Sequence, residues 1–157
     1  MDDSIERFKQ SREALNAVIA RFSDEALSKP GSEGEWTLIE EMAHIAAWDT
    51  WAKKVIELRF TQDEVPQEML EEARNPDPFN ARAAVAWRGF TPGQARTAFI
   101  GAYEDLMRFV EQAPEEKLYR QIPRPNGKTT TPTVTLKGLV GHNNEHRTRL
   151  EEILARQ

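Results

Sequence analysis

The chain has 157 residues, enough for one domain with a substantial core and too few for two ordinary domains. Apolar residues make up 39% and charged residues 30%, the balance of a folded, water-soluble domain and not of a disordered or membrane-embedded one. A formal net charge of -5 argues against nucleic acid as a partner, because phosphate backbones are held mainly by clustered Lys and Arg.

The first residues, Met1-Asp2-Asp3-Ser4, are acidic where a secretion signal is basic, and no apolar run approaches the roughly 18 residues of a membrane span. The expected location is the cytoplasm, with no membrane partner. Asp3 and Glu6 have capping-box spacing, and Ile5, Phe8, Leu15, Ile19 and Phe22 recur at helical intervals, which predicts a first helix. Ser23 with Asp24 and Glu25 starts a short turn. Pro30-Gly31 and Gly34 then break the chain, and a loop runs to about Trp36.

Thr37 and Glu40 repeat the capping-box spacing, and the segment to about Phe60 lacks Gly and Pro, so it predicts a second helix of about six turns. From Thr61 to Phe90, Pro66, Pro76 and Pro78 loosen the pattern, and this stretch is expected to be a structured crossover with a short helical piece over Ala81 to Trp87. Thr91-Pro92-Gly93-Gln94 sets a cap, a first-turn proline and a box partner in order. Ala95, Phe99, Leu106 and Val110 continue as a third helix ending near Pro114. Pro123, Pro125, Pro132 and Asn126-Gly127 make Tyr119 to Thr133 an extended loop or loose hairpin. Thr135 is expected to cap a fourth helix running to about Ala155. Four main helices with no convincing strand pair predict an all-α four-helix bundle, a single domain over 1–157.

The chemistry centres on the three histidines. His142 and His146 are four residues apart, which stacks their rings on one helix face beside Leu139, Leu150 and Ile153, away from Asn144, Thr148, Glu151 and Glu152. His44 shares the inward side of the second helix with Trp48, Trp51 and Val55, opposite Thr50, Lys53, Lys54 and Glu57. Inward histidines on facing helices can meet at one level and hold an ion, as helix bundles commonly do. Core histidines are also often satisfied by hydrogen bonds alone, and spacing by itself leaves both readings open. Three imidazoles favour zinc, nickel, copper or iron over magnesium or calcium, with zinc the first expectation. Three protein ligands leave positions for water or substrate, the pattern of catalytic sites. With no cysteine in the chain, any thiol chemistry must come from a cosubstrate.

Glu35-Trp36-Thr37 with the run to His44, Ile45 and Trp48, and Gly141 to His146 near the C-terminus, resemble the DinB-like superfamily. That resemblance implies a four-helix bundle of up-down-down-up topology with a crossover between the second and third helices. It also implies a metal-ligand histidine on the second helix and a histidine pair on the last, which places the ligands at His44, His142 and His146. Relatives include transferases that use low-molecular-weight thiols and an isomerase dependent on mycothiol, so it implies a metal-dependent S-transferase or hydrolase acting on small electrophiles. Because the fold supports several functions, a non-catalytic ligand- or metal-binding bundle, or a dimeric scaffold, is the alternative.

Other residues are weaker candidates. Glu41, one turn before His44, could hydrogen-bond a ligand histidine or act as a general base, or simply favour the helix start. Asn143 could contact a metal-bound water or fill the core. Arg147 and Arg149 could bind a carboxylate of a thiol cosubstrate, or complement the helix dipole. Trp36, Trp48, Trp51 and Trp87 could line an apolar pocket, with Trp48 and Trp51 the leading candidates, or pack as core. A homodimer through helix faces is a further expectation.

Overall fold

The computed structural model describes residues 2–31 and 35–157; Met1 and the loop residue Gly34 lie outside them. Helix α1 spans Ser4–Ile19. The expected capping box at Asp3 and Glu6 does not form: Asp3 has ψ near 13° and no side-chain cap bond, whereas a cap needs extended backbone to fold its side chain back. Asp2 takes over, accepting from the Ser4 amide at 2.8 Å and from the Thr133 hydroxyl at 2.5 Å. This ties the start of the first helix to the start of the last.

Ser23 caps the short α2, Asp24–Leu27, by accepting from the Ala26 amide. Helix α3 runs Leu38–Leu58, with the Thr37 hydroxyl accepting from the Glu40 amide at 3.1 Å. The stretch expected to be a crossover holds two helices, α4 over Gln67–Arg74 and α5 over Asp77–Ala86. Helix α5 starts earlier than the expected Ala81 because Pro78 lies in its first turn, where a missing N–H costs nothing. Helix α6, Pro92–Gln112, carries the full capping box of Thr91 and Gln94, and α7 is a single turn over Glu115–Leu118.

The following loop forms a small hairpin, Ile122–Pro123 (β1) antiparallel to Thr129–Thr130 (β2), turning at Gly127 with φ of 79°. Helix α8 spans Val134–Ala155. Its cap position belongs to Thr133 and not, as expected, to Thr135, which lies inside the first turn with its hydroxyl buried and without a partner among the described residues. The Thr133 hydroxyl is turned to Asp2, so it gives no side-chain cap either.

The long helices α1, α3, α6 and α8 make an all-α four-helix bundle in which α1 packs chiefly on α8, and α3 on α6 and α5. One core cluster joins Leu15, Phe22, Ile45, Phe99 and Leu150, and another joins Phe8, Ile56, Leu106, Leu118 and Leu136. Between them, in sequence terms on each helix, lies a fully buried polar set. Arg12 forks onto Asp49 with Nη2–Oδ2 of 2.6 Å and Nη1–Oδ1 of 3.0 Å. Arg12 Nε also donates to Asn16 Oδ1, and the guanidinium stacks 4.3 Å over the Phe99 ring. Asn143 closes the set by donating to the Ser11 hydroxyl at 3.1 Å. Arg12 and Asp49 are 0% and 1% exposed; a charge pair so desolvated persists only because each partner is hydrogen-bonded. No helix among the described residues is long and apolar enough to cross a membrane.

Candidate metal centre

The bundle brings the three histidines to one point. His44 comes from α3, and His142 and His146 from successive turns of α8. Their Nε2 atoms form a near-equilateral triangle: 2.9 Å between His142 and His44, 3.1 Å between His44 and His146, and 3.1 Å between His146 and His142. Among the described residues this is the cluster of His, Asp and Glu ligand atoms able to hold a metal ion.

Their outer nitrogens reveal which tautomers meet there. Asn80 Oδ1 sits 2.8 Å from both Trp48 Nε1 and His44 Nδ1. An indole N–H can only donate, so the Asn80 atom it meets is the amide oxygen, and His44 Nδ1 must carry a hydrogen to bond the same atom. The lone pair of His44 is therefore on Nε2. His146 Nδ1 lies 2.8 Å from Glu41 Oε1, and a carboxylate accepts, so the His146 lone pair is also on Nε2. Two nitrogens with outward lone pairs thus face each other at 3.1 Å. Facing lone pairs at that distance make a seat for a cation, and a zinc ion about 2.0–2.1 Å from each nitrogen would be reached by all three. The donor set fits a divalent transition metal, and a carboxylate and an amide behind the ligands are the usual supports of such sites.

The electrostatics agree. Burial, then the neighbouring His146 ring, pushes His44 down to about 4. Burial, then His146 and His44, pushes His142 down to about 3. Both rings are neutral at neutral pH, the form that binds metal.

A cavity of about 560 Å³ opens beside His44 and His142, walled by Trp48, Trp51, Val55 and Leu139. Trp48 packs against Phe79 with ring centroids 4.2 Å apart and against Trp51 at 5.1 Å. A second cavity of about 340 Å³ lies on the other side, lined by Glu35, Trp36, Glu41, His146 and Arg149.

Of the residues expected at the site, Glu41 touches His146, and Trp48 and Trp51 line the larger cavity. Trp36 lies 5.6 Å from the His44 ring. Arg149 borders the smaller cavity with its charge met by Glu35 at 2.5 Å and Glu41 at 3.3 Å. Arg147 pairs instead with Glu151 one turn along α8. Asn143 faces the core, held by Ser11 and Arg12, and Trp87 stacks on Phe90. Sequence reasoning missed Asn80 and Phe79. Both lie on α5, behind two prolines, and no local pattern connects them to a histidine 36 residues away.

The sequence profile of the DinB superfamily matches residues 7–149. No curated protein sequence matches the chain. Among solved structures, the mycothiol-dependent maleylpyruvate isomerase superposes with a TM-score of 0.67 at 15% identity, over 94% of this chain and 59% of that one. This chain thus spans less than two thirds of the isomerase. YfiT from Bacillus subtilis, described as a probable metal-dependent hydrolase with an unusual four-helix bundle topology, gives 0.62 at 16% identity, over 99% of this chain and 86% of YfiT. The four-helix bundle protein TT2238 gives 0.58 at 20% identity, over 96% and 98% of the two chains.

Proposed function

The chain belongs to the DinB superfamily, and from that premise we propose that it is a metal-dependent enzyme acting on small electrophiles. His44, His142 and His146 hold one divalent transition-metal ion, zinc by first expectation and nickel or iron as alternatives. The observation that carries this reading is the meeting of three Nε2 atoms within 3.1 Å, two of them with their Nδ1 hydrogens already committed to Glu41 and Asn80.

When bound, such an ion supplies a Lewis acid that lowers the pKa of a water or thiol at its open side. The residues around it set up that chemistry. Glu41 and Asn80 fix the tautomers and ring planes of His146 and His44, so both are positioning residues. Glu41 Oε1 is occupied by His146, which favours that role over general-base work. Trp48, Trp51 and Leu139 give the reacting molecules a largely apolar wall that excludes water. Transfer of a low-molecular-weight thiol is the first reading, supported by the mycothiol dependence of the superposed isomerase; with no cysteine in the chain, the thiol would come from a cosubstrate. Hydrolysis would use the same triad, as the description of YfiT suggests.

The test is elemental analysis of protein purified without an affinity tag, beside a His142→Ala variant. About one equivalent of zinc or nickel, lost in the variant, supports the centre; no metal in either overturns it. A panel of thiols and electrophiles then separates catalysis from the alternative, a non-catalytic binding bundle or dimeric scaffold. Turnover that His44→Ala abolishes, with the helical fold retained, favours the enzyme.

A further inference from the structure

The larger cavity continues well past the histidines. Along α3 its wall passes from His44 through Trp48, Trp51 and Val55 to Arg59, fifteen residues and about 22 Å of helix axis. Valines, leucines and tryptophans form most of the wall between the two ends.

The far end has a charge that no described residue answers. No hydrogen bond or ion pair engages the Arg59 guanidinium among the described residues, and Nε is buried without a partner. The nearby acid, Asp63, is taken by Arg120, which also donates to the Arg59 carbonyl. Burial and then the like charge of Arg124 lower the Arg59 pKa, the reverse of what a carboxylate partner would do.

Two more orphans line the same cavity. Of the seven buried side-chain polar atoms without a partner among the described residues, three belong to cavity-lining residues: Trp51 Nε1, Arg59 Nε and Thr135 Oγ1. All three can donate a hydrogen bond, so what is missing is an acceptor. Unmade bonds of this kind are costly, and they persist where a ligand completes them. Gly138 of α8 also lines the cavity, and a Cβ built there meets nothing within 4 Å. A larger side chain at this position would therefore project into the cavity mouth without a clash.

We propose that this cavity takes a ligand with an apolar body and a carboxylate end, the carboxylate seated on Arg59 with Trp51 and Thr135 beside it and the opposite end at the three histidines. One planar guanidinium matches one singly charged, planar carboxylate, and the apolar wall matches the body of the molecule. The placement of the opposite end rests on the metal-centre reading; the carboxylate seat does not. Either the thiol or the electrophile can be the molecule that carries this tail.

The test uses decanoate, decanol and decylamine, titrated into the full chain and followed by tryptophan fluorescence, with Trp48 and Trp51 as reporters. Decanoate is expected to bind saturably and about tenfold or more tighter than the alcohol or the amine, in metal-free and metal-loaded protein alike. Arg59→Gln should remove the preference for the acid while leaving decanol binding unchanged, and Gly138→Leu should abolish binding of all three with metal content intact. Equal binding of decanoate and decanol by the unmodified protein overturns the proposal without reliance on any variant, as does a preference that survives Arg59→Gln. Failure of the metal centre is read separately: acid-selective binding by a protein that contains no metal as purified and takes up none when zinc, nickel or iron is added sinks the enzyme reading and keeps the carboxylate seat. With cobalt bound, mercaptoundecanoate assigns the source. A thiolate-to-cobalt absorption band weakened by Arg59→Gln places the carboxylate on the thiol, and acid-selective binding without that band places it on the electrophile.

Discussion

Asn80 Oδ1 accepts from His44 Nδ1 at 2.8 Å and so decides which nitrogen of that histidine faces its two neighbours. Removing a support of this kind typically lowers metal affinity about 10- to 100-fold. Asn80→Ala is therefore expected to weaken metal binding by that factor in a chelator competition, with helical content unchanged. Asn80→Asp keeps the acceptor and should stay within a few-fold of the unmodified protein. Equal affinity in Asn80→Ala would remove Asn80 from the site.

The Arg12 and Asp49 pair makes a second claim, about the fold. Asp49→Ala leaves a buried guanidinium without its counter-charge, and such changes cost about 3–5 kcal/mol, to be read from urea unfolding. Burial pushes the Asp49 carboxyl up, against the pull of Arg12, so the pair tolerates loss of either partner poorly. Arg12→Met combined with Asp49→Leu should recover more than half of that loss, because both desolvation penalties vanish together. A double variant as unstable as Asp49→Ala would show that the hydrogen bonds to Asn16 and Asn143 matter more than the charge.

Acid should weaken the metal-free protein in a defined window. His44 and His142 fall to about 4 and about 3 in the fold, below the ordinary imidazole value of about 6.5. The unfolded chain then takes up protons at these positions that the folded chain refuses, so stability rises with pH across this range. Their contribution is complete above about pH 6.5 and is lost as pH falls through the two folded values. Urea midpoints should decline from about pH 7 to about pH 4.5, and the slope should flatten when both residues are changed to Gln. An unchanged slope would place the acid sensitivity elsewhere.

Two capping motifs with similar spacing should respond differently to the same change. Thr91→Ala removes a working capping box and should cost about 1 kcal/mol. Asp3→Ala removes a side chain that caps nothing and should stay within about 0.5 kcal/mol. Thermal or urea unfolding of the pair measures both, and equal losses would contradict the assignment at Asp3.

That contrast also marks how far the sequence could be read. The four long helices are legible because their apolar spacing and their Pro and Gly breaks are local, and the triad because His142 and His146 lie four apart on an inward face. Residue pattern cannot choose between Asp2 and Asp3, or between Thr133 and Thr135, because the choice depends on the Asp2–Thr133 bond between residues 131 positions apart. Arg12 and Asp49 are invisible for a different reason: periodicity treats charged residues as outward, and a pair that neutralises itself inside the bundle breaks that rule. Asn80 and Arg59 become meaningful only once α5 and the cavity exist.

The triad also bears on how the chain holds together. His44 is separated from His142 and His146 by 98 and 102 positions, and no cysteine is available to staple the chain. An ion shared by these residues acts as a removable crosslink closing a loop of that length, a constraint that in a disulfide would restrict the unfolded chain by roughly 4–5 kcal/mol. Chelation would release that tie between α3 and α8, leaving α8 held by its packing on α1 and by the Asp2–Thr133 bond. Metal supply would then govern the lifetime of the protein as well as its chemistry.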